Sequence, residues 1–400
     1  MRVAVVCAGI SGLGAAYLLA RAHDVTVFER LARAGGHSNT VEHRGLGLDT
    51  GFLVHNEPNY PLLNRLYREL GVAVQDSEMS FSVSCGDCGL EWSGRRPFAQ
   101  RRNLASPRFG CLLLEVTRWL RTARRSLDEA DWEERSLAEY VDERGYSHRF
   151  REHFLVPLTS ALWSTAPDRA LEFPAGYAIR FFENHGMLGL GRFAWRTVTG
   201  GSRRYVGALL ERLGPRVRLE TGARVIRRDR GGVDVDGERF DAVVVATHAD
   251  DALRLLVDAD DEERRVLGAF PYTANDTVLH TDDRFLPRTR AARASWNYQR
   301  NGGSKPTVTY YLNRLQRLEA DEDYCVTLNR TDEIDPERIL ARMTYHHPLY
   351  TVAAMRAQRE LPGLSGRRRT WFAGAYHGNG FHEDGLASGV RAAAGLGVSW

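Results

Sequence analysis

The residues with the clearest chemical purpose stand near the start of the chain. Gly9 and Gly12 lie in the run Cys7-Ala8-Gly9-Ile10-Ser11-Gly12, and Glu29 follows about 20 residues after Gly9. A missing Cβ at Gly9 lets a phosphate approach the backbone, and at Gly12 it lets a helix pack closely on a strand. A carboxylate at this separation accepts hydrogen bonds from a ribose 2′-hydroxyl and repels a 2′-phosphate. The spacing therefore predicts a site for a dinucleotide other than NADP.

The segments on both sides of these residues predict the elements that would position them. Val3 to Val6 is a β-branched apolar run, Leu13 to Arg21 reads as a helix, and Val25 to Phe28 is a second strand that ends at Glu29. This order is the dinucleotide-binding βαβ layout, in which the free N–H groups of the helix start hold a pyrophosphate. A coincidental βαβ turn is the alternative interpretation.

Cys7 departs from this pattern. It stands where the first glycine of G-x-G-x-x-G is expected, the glycine that serves the tight turn out of the first strand. A cysteine turns there only if its φ stays negative. We therefore expect a looser or shifted grip on the pyrophosphate.

A glycine pair extends the motif beyond Glu29. Arg30 and a short spacer are followed by Gly35-Gly36-His37. This arrangement resembles the extended motif of FAD-dependent flavoproteins of the glutathione-reductase type, in the amine oxidase and phytoene desaturase branch. In that branch the double glycine lets the backbone pass close to FAD, and NAD-only enzymes do not need it. The resemblance favours FAD as the cofactor.

The resemblance covers nearly the whole chain. It is closest to a bacterial branch of amine-oxidase-like proteins often encoded beside cyclopropane fatty acyl synthases, and its most specific stretch is FAGAYHGNGFHEDG, Phe372 to Gly385. In the superfamily a helix start after such a loop stabilises negative charge on the reduced flavin ring. The further matching stretches are Cys7–Gly14, Glu29–His37, Asp49–Asn56, Glu78–Val83, Phe154–Thr165, Trp195–Tyr205 and Val308–Leu315. The cofactor-binding residues that it implies are Gly9, Ile10, Ser11, Gly12, Glu29, Arg30, Gly35, Gly36, His37, Gly51, Phe52, Leu53, Val225, Gly374, Glu383, Asp384, Gly385 and Leu386.

The same C-terminal motif carries the candidate catalytic acid and base. It places four such residues nearest to the flavin: Tyr376, His377, His382 and Glu383. Hydrogen bonding within the loop is the alternative role of the last two. Amine oxidases also keep a lysine that holds a water at flavin N5, but the comparable segment Asn275 to Leu279 has none, and Lys305, the single lysine, is a doubtful substitute. Amine oxidation is therefore disfavoured.

These features predict an α/β fold with two interleaved domains. A glutathione-reductase-type Rossmann FAD-binding domain would comprise residues 1–75, 196–258 and 366–400, and an α+β substrate domain with a mixed sheet and helices would comprise 76–195 and 259–365. Phe240 to Thr247 has the pattern of a buried parallel strand, and the backbone of Val225 would meet the adenine. Asp335-Pro336 predicts a helix start, and Val326 to Leu328 an edge strand.

Composition sets further bounds. A net charge of +3 over 400 residues is too weak to argue for nucleic acid. Five cysteines, an odd number, fit a reducing cytoplasm better than a disulfide framework. Cys85 and Cys88 form a C-x-x-C with no second pair, and a zinc or redox site would need further ligands that the sequence does not reveal. We therefore predict a hairpin turn around Gly86-Asp87 and no metal.

The hydropathy pattern bears on localisation. No apolar run reaches the roughly 18 residues that a membrane span needs. Cys111 to Leu127 predicts an amphipathic helix with a basic face, which either rests on an anionic membrane surface or is a domain helix with a solvated face. The prediction is a cytoplasmic protein, with peripheral contact to the inner face of the membrane as an open alternative.

The predicted function is redox catalysis on a hydrophobic substrate. A C–H of a fatty acyl chain or a secondary metabolite would pass a hydride to flavin N5, with oxygen or another acceptor taking the electrons. Aromatic residues in Phe173 to Glu183 suit an apolar pocket or simply the core, and Trp296, Tyr298, Tyr310 and Tyr311 are predicted to face one cavity. The alternatives are double-bond isomerisation without net redox, amine oxidation, and a non-catalytic binding protein whose site Cys7 has weakened.

Overall fold

The computed structural model describes residues 1–188, 193–300 and 307–400, so Lys305 lies outside the described residues. The strands are β1 Arg2–Val6, β2 Asp24–Phe28, β3 Thr40–His43, β4 Leu46–Asp49, β5 His55–Asn56, β6 Val74–Asp76, β7 Phe81–Cys85, β8 Glu91–Ser93, β9 Trp195–Val198, β10 Val217–Arg218, β11 Ile226–Asp229, β12 Gly232–Val235, β13 Glu238–Phe240, β14 Ala242–Val245, β15 Tyr272–His280, β16 Trp296–Arg300, β17 Thr307–Tyr311, β18 Cys325–Leu328, β19 Ile339–Pro348 and β20 Thr370–Phe372. The helices are α1 Ile10–Leu19, α2 Pro61–Leu70, α3 Pro107–Thr122, α4 Leu137–Glu143, α5 His148–Phe150, α6 Val156–Trp163, α7 Ala175–Asn184, α8 Arg203–Leu213, α9 Ala249–Leu255, α10 Asp261–Leu267, α11 Leu312–Leu315, α12 Val352–Gln358, α13 Leu361–Leu364 and α14 His382–Gly395.

A parallel sheet in the order β10-β2-β1-β14-β20 carries the N-terminal glycine motif. Val5 of β1 pairs with Val27 on one side and Val244 on the other, and all three side chains are fully buried. Burial on both faces explains why these strands are continuous apolar runs rather than alternating ones. The sheet collects strands from residues 2–28, 217–245 and 370–372; the domain boundaries themselves remain a prediction.

Helices α1 and α14 pack against each other on one face of this sheet. α1 is apolar nearly all round, and Leu13 and Leu18 are fully buried. The close approach requires glycine in α14, because a Cβ at Gly389 would lie 2.3 Å from the carbonyl oxygen of Ser11. The packing brings the start of α14 beside the start of α1, so the two glycine motifs of the sequence meet.

A second, mixed sheet has the order β19-β15-β18-β17-β16-β7-β8. It corrects two predictions. β18, expected at an edge, lies between β15 and β17. The residues after Asp335 form only a 3-10 turn, Pro336–Arg338, before entering β19, although the Asp335 side chain does accept the Glu337 N–H. Antiparallel pairing along β15, from Tyr272 with Pro348 onwards, outweighs a local helix-start signal.

A helical layer, α3 to α7, covers part of this sheet. Ser106 caps α3, and Leu112, Val116 and Trp119 on its buried stripe join the largest apolar cluster of the molecule. The opposite face is exposed, as in a domain helix. β7 and β8 form the predicted hairpin around Gly86-Asp87, with Val83 opposite Trp92. Within residues 1–188, 193–300 and 307–400, no helix combines the length and hydropathy required to cross a bilayer.

Candidate functional site

A cavity of about 620 Å³ lies between the two sheets. Its volume is in the usual range for cofactor and ligand sites. The sequence-predicted residues that line it are Gly9, Ile10, Ser11, Glu29, Arg30, Gly35, Gly36, His37, Gly51, Phe52, Leu53, Gly374, Tyr376 and His382. The predicted residues outside this lining are Gly12, Val225, His377, Glu383, Asp384, Gly385 and Leu386. The structure thus brings together most of the predicted cofactor set, but only two of the four catalytic candidates.

The turn into α1 has the geometry of an anion site. The first-turn N–H groups of a helix have no intrahelical partner, and here there is neither a side-chain cap nor an acidic residue in the first turn. Cys7 makes the turn at φ +88°, in the region that favours glycine, so our expectation of a negative φ was wrong. The Cys7 N–H donates to the carbonyl of Phe28 at 2.8 Å and holds this conformation. Burial raises the pKa of the Cys7 thiol to about 12, which keeps the thiol protonated.

Glu29 ties the end of β2 to this turn. Its carboxylate accepts the N–H of Ala8 at 2.8 Å and the N–H of Leu31 at 2.9 Å. The side chain is buried and also lines the cavity. Each carboxylate oxygen has two lone pairs, so one lone pair on each is still free to accept from a ribose hydroxyl.

The Gly35-Gly36-His37 segment passes directly over the α1 turn. Gly36 has φ +57°, and a Cβ there would lie 3.3 Å from Cα of Gly9. The next residue, His37, stacks on Tyr345 with 4.8 Å between ring centroids. Its Nε2 is buried without a hydrogen-bond partner among the described residues. An orphaned polar atom at a cavity wall marks a position for a ligand.

Three further histidines surround His37, and sequence reasoning missed them. The ring centroids of His347 and His248 lie 5.2 Å and 6.3 Å from that of His37, and His346 lies 6.3 Å from His248. Burial lowers the pKa of His37 well below its usual value and that of His347 to about 4, so both are neutral. The adjacent pair His346-His347 was the one signal that could have revealed them.

His382 at the start of α14 is held from three sides. Its ring stacks on Phe52 at 3.9 Å, and its Nε2 lies 2.9 Å from Ser38 Oγ and 2.7 Å from the Tyr205 hydroxyl. Burial lowers the pKa of His382 to about 3. The geometry makes His382 a neutral side chain that fixes the ring of Phe52 at the cavity wall. Ser38 and Tyr205 carried no signal in the sequence that pointed to this role.

Glu383 and its neighbours are structural rather than cavity-lining. Glu383 accepts the N–H groups of Leu62 and Leu63, at 2.8 and 2.9 Å, and so caps α2. Asp384 accepts the Phe381 N–H within its own loop. Gly385 and Leu386 pack against α1, and an added Cβ at Gly12 of that helix would lie 1.9 Å from the Cys7 carbonyl oxygen. Glu383 therefore bonds to the start of α2 and lies outside the cavity lining, and its catalytic and cofactor-binding roles stay predictions.

Tyr376 and His377 follow the Gly374 turn. The Tyr376 hydroxyl is buried without a hydrogen-bond partner among the described residues, and the residue lines the cavity. Burial raises the pKa of the Tyr376 hydroxyl, so the hydroxyl stays protonated and can donate a hydrogen bond. His377 Nε2 is also unpartnered there, but the side chain lies behind Tyr376 and outside the lining.

Val225 is another predicted contact that the structure does not bring to the cavity. Its N–H donates to the Asp236 carboxylate, and its carbonyl accepts the Asp236 N–H. Both backbone groups are therefore used within a hairpin. The three preceding residues, Gly222 to Arg224, line the cavity instead.

The far end of the cavity is apolar and aromatic. Its walls come from the second sheet and the helical layer: Met79, Leu162, Trp163, Phe181, Met187, Trp296, Tyr310 and Tyr350. Of the four aromatic residues predicted to share it, Trp296 and Tyr310 line it, whereas Tyr298 is in the core and Tyr311 donates to Asp323. In Phe173 to Glu183 only Phe181 lines the cavity, and the other aromatic rings pack in the core.

FAD fits this cavity on three observations. The uncapped α1 start offers N–H donors for a pyrophosphate. Glu29 offers carboxylate lone pairs for a ribose. His37 and Tyr376 present buried polar atoms that no described residue satisfies.

Comparison with known proteins decides the family. The model of flavin-containing amine oxidoreductases matches residues 10–396. The chain belongs to this family. Membership confirms the predicted resemblance, the cofactor FAD and the enzyme class, an FAD-dependent oxidoreductase. The narrower branch beside cyclopropane fatty acyl synthases stays a prediction.

Solved structures confirm the fold class. Cyclohexylamine oxidase from Brevibacterium oxydans is 17% identical with a TM-score of 0.68, over 99% of this chain and 98% of that one. Putrescine oxidase bound to putrescine is 14% identical with a TM-score of 0.69, over 99% of both chains. A fatty acid isomerase from P. acnes is 17% identical with a TM-score of 0.68, over 97% of this chain and 96% of that one. At these identities the likeness concerns the fold alone.

One curated protein also matches, over a short stretch. It is an uncharacterized protein of Methanocaldococcus jannaschii, 43% identical over 53 residues. The match covers 13% of this chain and 14% of that protein. A match over so short a stretch assigns no function to the chain.

Proposed function

We propose that the protein removes a hydride from a C–H of an uncharged, hydrophobic substrate, a fatty acyl chain or an apolar secondary metabolite. The distribution of charge along the cavity wall carries this proposal. The charged lining residues all belong to the segments around the parallel sheet: Glu29, Arg30, Arg33, Arg224, Asp251 and Arg254. Among the described residues that line the opposite end, there is no Asp, Glu, Lys or Arg.

This distribution disfavours an ammonium substrate. Moving a cation into an apolar chamber without a carboxylate costs several kcal/mol, on the order of the penalties for unpaired buried charge. β15 contributes Asn275 near the histidine cluster, where it bonds to His347, and no lysine. Amine oxidation is therefore the weaker candidate, even though the family is named for it.

The chain's own residues bind, orient and exclude water. We propose that the twelve lining residues predicted to bind the cofactor hold it, while Leu162, Trp163 and Trp296 hold the apolar substrate. Bound FAD supplies the hydride acceptor. Burial lowers the pKa of His37 and His382, so neither imidazole ring adds a positive charge to the cavity wall. The His382 ring also stacks on Phe52 and holds it in place. Tyr376 is our candidate hydrogen-bond donor to the bound ligand, because its hydroxyl has no partner among the described residues and the residue lines the cavity; the proton released with the hydride would pass to the flavin or to solvent.

The test is anaerobic mixing of the FAD-loaded enzyme with matched substrates. A long-chain fatty acyl ester and an alkylamine of equal chain length would be compared by the rate at which flavin absorbance bleaches. We expect bleaching by the neutral chain and a product two hydrogens lighter. Faster bleaching by the amine would overturn the proposal. A product of unchanged mass with a moved double bond would show isomerisation without net redox instead.

We also propose contact with the membrane surface as a route for apolar substrates. Phe98, Leu104 and Leu114 are exposed apolar side chains in or before the basic helix α3. Co-sedimentation with anionic vesicles tests this, and Leu114→Ser should weaken it. Equal sedimentation of the variant would argue against it.

A further inference from the structure

The β7–β8 hairpin holds a second group of reactive side chains, outside the cavity. Cys85 ends β7, Cys88 lies in the turn, and His153 reaches them from a π-helical turn, Arg151–Leu155. One ligand atom from each residue lies within 4.8 Å of the other two. Cys88 Sγ is 3.8 Å from His153 Nε2. His153 is 65 residues from Cys88, which is why the sequence alone revealed no third ligand.

The turn between the two cysteines closes a short hairpin. The Cys85 N–H donates to the Leu90 carbonyl at 2.8 Å. Gly89, directly after the second cysteine, has φ +68° and closes the turn. The turn therefore places Cys85 and Cys88 so that one ligand atom of each lies within 4.8 Å of the other and of His153.

His153 has the surroundings of a ligand. It is 8% exposed. Its Nδ1 has no hydrogen-bond partner among the described residues, and its Nε2 faces Cys88. Single π turns inside helical segments occur frequently at functional sites.

We propose that Cys85, Cys88 and His153 bind a zinc ion, with water as the fourth ligand on the exposed Cys88 side. Two thiolates and one imidazole are a donor set that zinc prefers, and the ligand atoms need to draw together by only about 1 Å to reach tetrahedral zinc. Binding displaces the two thiol protons to solvent. The nearby Arg300 is already paired with Asp87 and Glu152, so it does not stand as an unopposed cation beside the ion.

The ion would act as a clamp. The hairpin belongs to the edge of the second sheet, and His153 belongs to the helical segment between α5 and α6. A shared ion would tie these two layers together. This role is independent of the proposed reaction and of the bound flavin.

The first test is metal content of the FAD-loaded full chain, purified under reducing conditions, incubated with zinc and dialysed. Mass spectrometry of the metal should find one zinc per chain in the wild type and in Cys111→Ser, which removes an exposed thiol on α3. Cys88→Ser and His153→Gln should each bind zinc on the order of 100-fold more weakly in a chelator competition. Equal zinc affinity of the wild type and Cys88→Ser would overturn the proposal.

A second measurement needs no variant and so does not depend on folding. Cys88 and Cys111 are both exposed, and alkylation of each is followed by peptide mass spectrometry with and without zinc. Zinc should slow alkylation of Cys88 at least tenfold and leave Cys111 unchanged. Equal rates at Cys88, or a Cys85–Cys88 disulfide in protein kept free of oxygen, would overturn the metal site.

Discussion

The two ends of the cavity are built on different principles. At the cofactor end, a turn, a glycine pair and an acid act through backbone hydrogen bonds, as when Glu29 accepts the N–H groups of Ala8 and Leu31. At the substrate end, rings from separate elements pack around an apolar space, and the Trp296 N–H has no partner among the described residues. These features suit the first end to one defined ligand and the second to the class of apolar substrates that we propose.

The two ends of the cavity differ in how they can select a ligand. Polar groups that are already satisfied by the protein hold a geometry before any ligand arrives, whereas apolar walls reject charge without selecting one shape. We therefore expect substitutions at the cofactor end to be costly and those at the substrate end to be mild.

Glu29→Ala should affect the cofactor end most. Two backbone N–H groups lose a charged acceptor, and each such bond contributes about 1.5–3 kcal/mol. We expect FAD affinity to fall on the order of 100-fold in a fluorescence titration of deflavinated protein. Asp24→Ala, an exposed acid on the same strand, is the control and should bind FAD normally. Unchanged affinity in Glu29→Ala would show that the carboxylate does not organise this end.

His382 should give the molecule part of its acid sensitivity. The unfolded chain protonates this residue below a pH of about 6.5, but the folded protein does so only near a pKa of about 3. The unfolded state therefore binds the proton first, and stability falls by about 1.4 kcal/mol per pH unit below 6.5. Denaturant unfolding from pH 7 to pH 5 should fall less steeply for His382→Gln. The control is His148→Gln, which changes an exposed histidine and should lose stability with falling pH as steeply as the wild type. Identical slopes for the wild type and both variants would show that His382 does not contribute to the acid sensitivity.

Cys7→Gly should strengthen the cofactor end. Relief of the positive φ is worth about 1–3 kcal/mol, offset by about 0.5–1 kcal/mol for the added freedom of glycine in the unfolded chain. We expect a gain of about 1 kcal/mol in the free energy of unfolding. Cys7→Ala keeps the strain and should show no gain. Equal stability of the two variants would mean that the cysteine conformation is not strained.

Trp296→Phe should have the smallest effect on stability. The indole N–H of Trp296 makes no hydrogen bond within the described residues, so the substitution removes none. We expect less than about 1 kcal/mol of lost stability. Tyr345→Phe is the matched comparison: its hydroxyl bonds to Thr50 and Asn39, and its loss should cost about 1–2 kcal/mol. Thermal unfolding of both variants measures the difference. A larger loss of stability in Trp296→Phe than in Tyr345→Phe would contradict the expected difference between the two ends of the cavity.

Prediction from sequence succeeded where the signal is local. The β1–α1–β2 unit and the glycine pair lie within one continuous segment, and the predicted strands Val3 to Val6 and Val25 to Phe28 lie within Arg2–Val6 and Asp24–Phe28. The sequence did not reveal partners that come from distant segments. Val225 and Glu383 stay predicted cofactor contacts, and in the structure their polar groups bond to Asp236 and to the start of α2. No pattern in the sequence indicates which distant group will form a hydrogen bond with such a residue.

Sequence alone was enough to predict the β1–α1–β2 unit, because turn chemistry and apolar periodicity act over a few neighbouring residues. Tertiary structure alone decided the rest. It gathered the histidines around His37, joined His153 to Cys85 and Cys88, and made a strand of Ile339–Pro348. These contacts depend on how sheets and helices pack, and packing energies are summed over the whole fold rather than stored in any one segment.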